Sequence, residues 1–147
     1  MRYLVVAHRT ADSAELMDRL QALARADPEA AFVLLVPATP ATYLEEVASG
    51  RVRPARTIAA ERARLIRDRI QEHGLLVATA RVGNWDPMQA VEDELRTEAY
   101  AAIVISTLPP GISRWLNMDV PARLVRRFPR TQIIHVVAGR SGSLQTG

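Results

Sequence analysis

The feature that most constrains this chain is the regular alternation of short apolar runs with stretches of helical spacing. YLVVA (3–7) and FVLLV (32–36) are continuous apolar runs, too short for a helix and rich enough in β-branched residues to be strands covered on both faces. LLVATARV (75–82), IVIS (103–106) and QIIHVV (132–137) supply three more runs, the last two also expected to be buried. Between them lie segments whose apolar residues recur at three and four positions, so strand and helix alternate along the whole chain. That pattern specifies an open parallel α/β sheet with right-handed crossovers and helices on both faces.

Local signals mark the helices. After the polar turn His8-Arg9-Thr10-Ala11, Asp12 with Glu15 three residues on has the form of a capping box, and Leu16, Leu20, Leu23 and Ala24 continue as one face until Asp27-Pro28. Residues 55–73 read as a basic helix with Ile58, Leu65, Ile66 and Ile70 on one side and Gly74 as the stop. Its Arg62, Arg67 and Arg69 read as a solvated face, because Glu61, Asp68 and Glu72 stand at pairing distance. Asp86 is the expected cap of the next helix, with Pro87 at the first position, Gln89 completing a capping box, and Met88, Val91 and Leu95 as the buried stripe. Asp119 is expected to cap a helix running to Phe128, with Val120, Leu124 and Phe128 inward. The 37–54 segment, with three prolines and Gly50, is the longest irregular stretch, of a length typical of lids and binding loops, and 42–48 within it has short-helix character.

Composition narrows the chemistry. The 147 residues with 48% hydrophobic content suit one domain, 1–138, followed by a tail, 139–147, expected to be disordered. The absence of cysteine excludes disulfides, thiolate metal sites and a cysteine nucleophile. All 19 basic residues are arginine, which removes P-loop, Schiff-base and general-base lysines. With a net charge of only +3 and acids interspersed among the arginines, no nucleic acid is expected as partner. No apolar run reaches about 18 residues and no secretory signal is visible, so the expectation is a cytoplasmic protein with no membrane partner. No spacing of His, Asp and Glu suggests a metal, and His73 and His135 fall at a helix end and in a strand.

In parallel sheets ligands bind beyond the carboxyl ends of the strands, beside the point where strand order switches. The candidate site residues are therefore the rim: His8, Arg9 and Thr10 after the first strand, Pro37 and Thr39 after the second, Gly83 and Asn84 after the third, and Ser106, Thr107, Gly111, Ser113 and Arg114 after the fourth. Each also has a plainer reading. His8 lacks a positioned acid or nucleophile beside it and reads more simply as a surface histidine, so no catalytic residue is assigned. Ser106 and Thr107 either contact ligand or turn the chain, and Pro109-Pro110-Gly111 either shapes a specificity loop or forms a rigid turn. Trp85 and Trp115 either stack on a ligand or pack locally, Trp85 as a hydrophobic staple against Ala90 or Val91.

The order of YLVVA, FVLLV, the long connection, the 55–73 helix, LLVATARV and the closing IVIST…VPARLVRRFP…IIHVV resembles the universal stress protein family, a branch of the adenine nucleotide alpha-hydrolase-like superfamily, over nearly the whole chain. The resemblance implies a five-stranded sheet in the order 3-2-1-4-5, ATP or AMP as ligand, and a homodimer that pairs the strand Gln132–Val137 with its copy. Nucleotide-binding members hold phosphates with glycine, two residues, glycine, nine residues, then glycine followed by Ser or Thr. This chain instead has Ser106-Thr107-Leu108-Pro109-Pro110-Gly111 and later Met118-Asp119, and Ala7-His8 stands where the family places an acid. Pro109 and Pro110 donate no N–H, and a capping Asp119 would occupy the amides a phosphate needs. The function expected is a non-catalytic domain that binds a nucleotide-type ligand weakly or in an altered mode, its anion contacts resting on Thr107, Ser113 or Arg114. The alternatives are a ligand-free dimeric interaction module and, less favoured, an enzyme acting on adenylated or phosphorylated substrates.

Overall fold

The computed structural model describes residues 1–7, 13–38, 55–109 and 113–138. In chain order the elements are β1 (Arg2–Val6), α1 (Ala14–Ala26), β2 (Ala31–Pro37), α2 (Ala55–Glu72), β3 (Val77–Gly83), α3 (Pro87–Thr97), β4 (Ala102–Thr107), the single turn α4 (Arg114–Asn117), α5 (Val120–Arg127) and β5 (Gln132–Val137). The strands form one open sheet, β3-β2-β1-β4-β5, with every pairing parallel. This is the expected α/β architecture and strand order, a Rossmann-like sheet. The 42–48 segment and the 139–147 tail lie outside the described residues.

Helices cover both faces because the inner strands are apolar on both. Leu4, Val5 and Val6 of β1 and Ile103, Val104 and Ile105 of β4 are all fully buried. Alternate side chains divide into two cores: Val5, Leu34 and Val104 meet α1 and α2 through Leu16, Leu20, Ile66 and Ile70. Leu4, Leu35, Ile103 and Ile105 meet α3, α4 and α5 through Ala90, Val91, Trp115, Val120 and Leu124. Each fully buried Val, Leu or Ile among them contributes about 1.5–3 kcal/mol. Among the described residues no helix is long and apolar enough to cross a membrane.

Several local expectations are corrected by the tertiary environment. β5 lies at the sheet edge, so it is buried only at Ile134 and Val136 while Gln132 and His135 are exposed. On α2 the inward face is Ala59, Ala63, Ile66 and Ile70, whereas Leu65 is 64% exposed; small alanines let the helix lie close to β2 and β3. α1 is capped by Ser13, whose hydroxyl accepts the Leu16 N–H at 3.0 Å and donates to Glu15 at 3.3 Å. Gly74 does end α2, at a φ of 77°. Asp86 caps α3 by accepting the Met88 N–H at 3.1 Å, but Gln89 donates forward to Asp93 at 2.8 Å and completes no capping box. Asp119 makes no side-chain cap: it sits at φ 58°, ψ 34°, and its carboxylate turns to Arg126 at 3.4 Å.

Candidate functional site

The strand order switches between β1 and β4, where β1 leads to α1 on one face and β4 leads to α4 and α5 on the other. The carboxyl edge is tied together just beyond the strands. The N–H of Ala7 donates to Leu35 O at 3.2 Å, that of Ala38 to Gly83 O at 3.1 Å, and that of Ala138 to Thr107 O at 2.7 Å. Ser106 is 1% exposed on the α1 side of β4, and its Oγ has no hydrogen-bond partner among the described residues. A buried hydroxyl without a partner loses its water contacts and gains nothing in return, a cost of about 1–3 kcal/mol. Its position at the switch point makes it the focus of the site.

Thr107 faces the opposite layer, and its Oγ1 lies 2.7 Å from Nε2 of His135 on β5. The register pairs Thr107 with Val137 and Ile105 with His135, so threonine and histidine are diagonal neighbours on one face of the sheet. Although His135 is exposed as a whole residue, partial desolvation of its ring lowers the imidazole pKa from its ordinary value, since desolvation disfavours the charged form. The bond runs from hydroxyl to ring nitrogen in one tautomer and from ring to hydroxyl in the other. His135 was missed as a site residue because only the β4–β5 register brings it to Thr107, a relation 28 positions apart in sequence.

Ser113 is also buried, but its hydroxyl accepts the Leu116 N–H at 3.1 Å and so caps α4, while its own N–H donates to Pro109 O at 3.1 Å. The backbone of Arg114 opens α4. Asn84 accepts the Asp86 N–H at 2.9 Å and shapes the turn into α3. At Gly83 an added Cβ would lie 2.8 Å from Leu35 Cδ1 and 2.9 Å from Ala90 Cβ, so the missing side chain lets α3 close on β2 and β3. Pro37 ends β2 opposite Gly83. β3 is three strand spacings from β4, roughly 14 Å at about 4.8 Å each, so Gly83 and Asn84 lie apart from the Ser106 group. His8, Arg9, Thr10, Thr39 and Gly111 lie outside the described residues.

The head of α5 makes a poor phosphate cradle for a reason other than the one expected. Pro121 occupies its first turn, leaving Val120 and Ala122 with N–H groups ahead of Arg123, whose N–H donates to Asp119 O at 2.9 Å. Trp85 is 63% exposed, whereas Trp115 is packed in the core with α3 and α5. Among the described residues no three His, Cys, Asp or Glu side chains group to hold a metal.

No family model matches the chain, and no curated protein matches it in sequence. The fold and the site geometry therefore carry the functional reading.

Proposed function

We propose that this protein is a non-catalytic, stress-protein-like domain that binds a small ligand of nucleotide type at the switch point between β1 and β4. The observation that carries the reading is the buried Ser106 hydroxyl, which has no partner among the described residues at the place where a parallel sheet of this order presents a ligand crevice. A ligand acceptor or donor seated there would satisfy it. The binding mode differs from a glycine-rich cradle: Pro109 and Pro121 remove donors, and Ser113 is occupied as a helix cap. Ser106 and Thr107 are the polar contacts, with His135 setting the orientation of the Thr107 hydroxyl.

Isothermal calorimetry with ATP, ADP, AMP and cyclic nucleotides tests it. Heat is expected with at least one of them, and Ser106→Ala is expected to weaken that binding about fivefold, the size of one net hydrogen bond. No heat from any nucleotide at high protein concentration overturns the reading.

A second reading is favoured by the edge of the sheet. Within the described chain β5 pairs only with β4, so its outer backbone groups are available for antiparallel pairing with a second copy. That supports a homodimer through Gln132–Val137, which either accompanies ligand binding or is itself the function, as an interaction module. A nucleotide carried through purification and seen by native mass spectrometry counts against the ligand-free version.

A further inference from the structure

On the face of the sheet that carries α3 and α5, an open groove of about 330 Å³ runs between the two helices, lined by Met88, Arg123, Arg126 and Arg127. Three of its four lining residues are guanidinium carriers, spaced i, i+3 and i+4 so that they share one side of the eight-residue α5. The adjoining stripe, through Val120 and Leu124, is anchored in the core, and this fixes the direction in which the arginines face. Like charges at this spacing oppose helix formation, and the first turn of α5 holds no acid to offset them. Arg126 and Arg127 lie in the last turn, where the helix dipole favours cations, so the mutual repulsion is only partly offset and Arg123 is left without that compensation.

The arginines are only partly neutralised. Arg127 Nη2 lies 3.0 Å from Glu92 Oε1, but the same oxygen also receives Arg96 Nη2 at 3.0 Å, so one carboxylate serves two cations. Arg127 is further steadied over the Phe128 ring, 5.4 Å from its centroid. Arg126 meets Asp119 at 3.4 Å with both side chains more than 60% exposed, a geometry in which an ion pair contributes little. Arg123 has no ion pair among the described residues. Met88 gives the groove an apolar wall from the first turn of α3.

From these observations we infer that the α3–α5 groove is a binding site for a small polyanion carrying two or more phosphoryl groups. Guanidinium forks match phosphoryl oxygens two at a time, and Arg123 and Arg126 supply two forks one helical turn apart, with Arg127 held in place between Glu92 and Phe128. The volume suits a small molecule and not a folded partner, and a single methionine offers too little apolar surface to anchor a peptide side chain. The site is distinct from the Ser106 crevice: it is built from the outward surfaces of two helices, and neither Ser106 nor Thr107 lines it.

Inorganic pyrophosphate and tripolyphosphate are the probes, followed by calorimetry and by two-dimensional NMR of the methionine methyl and arginine Nε–H groups. The wild-type protein is expected to bind them with shifts centred on Met88, Arg123, Arg126 and Arg127. Arg123→Gln/Arg126→Gln is expected to bind about tenfold more weakly. Arg19→Gln/Arg25→Gln, which removes the same charge from exposed positions on α1 in the other layer, is expected to bind as the wild type does. The inference is overturned if millimolar pyrophosphate produces no heat, if the two double variants weaken binding equally, or if the NMR shifts fall elsewhere. All four substitutions are at solvent-facing positions, and the wild-type shift map decides the question even if a variant fails to fold. Pyrophosphate binding alone leaves the nucleotide proposal to its own test, and the positions of the shifts separate the two sites.

Discussion

Glu94 carries a buried carboxylate that ties three elements together. At 7% exposure on α3 it accepts from Arg81 Nη1 on both oxygens at 3.1 Å and from the Tyr100 hydroxyl at 3.1 Å, joining β3, α3 and the entry to β4. Burial, reinforced by the Glu94 charge, pushes the Tyr100 phenol far above its ordinary value, so it stays a proton donor. Glu94→Ala is expected to destabilise the fold by about 1–3 kcal/mol in urea unfolding, because two donors lose their acceptor at once. His135 gives a pH signature. Its folded pKa is depressed by partial desolvation of the ring, so between that value and the unfolded value of about 6.5 the unfolded chain binds more protons. Its contribution is then complete above about 6.5 and is lost as pH falls through the folded pKa. His135→Gln is expected to flatten the stability profile below about pH 6.5, as measured by chemical unfolding at a series of pH values; a variant profile parallel to the wild type refutes it.

At the scale of elements, the helix starts were legible where the cap is purely local. Asp86 followed by Pro87 defined the head of α3, and Gly74 the end of α2, because each depends only on the backbone beside it. The misreadings came where two local solutions compete. Ser13 stands next to Asp12, and the hydroxyl three residues before Leu16 takes the cap. Asp119 enters the left-handed region instead of capping α5, and its carboxylate goes to Arg126. Gly83, expected at the ligand rim, also has a packing role, because Leu35 and Ala90 approach to within 3 Å of where a Cβ would be. Gly83→Ala is accordingly expected to cost about 1–3 kcal/mol through overpacking between β2 and α3. A thermal midpoint unchanged from wild type would contradict that role.

At the scale of the whole molecule, the exposed edge of β5 supports the proposed dimer, for which light scattering at micromolar concentration is expected to give twice the 16.2 kDa of one chain. A monomer mass removes the dimer and leaves the sheet unchanged. The alternation of apolar runs with helical spacing determined, from sequence alone, the class of fold, the order of strands and longer helices, and the double burial of β1, β2 and β4, because each is written in patterns only a few residues long; the single turn α4 was not foreseen. Burial of β5 was overread for the same reason: a run such as QIIHVV is apolar enough for a centre or an edge, and only its place beside β4 decides. Tertiary structure alone brought His135 to Thr107, left the Ser106 hydroxyl without a partner among the described residues, and set Met88 against arginines 35 to 39 positions away. Those relations depend on strand register and helix packing, which join residues far apart in the chain and leave no local pattern to read.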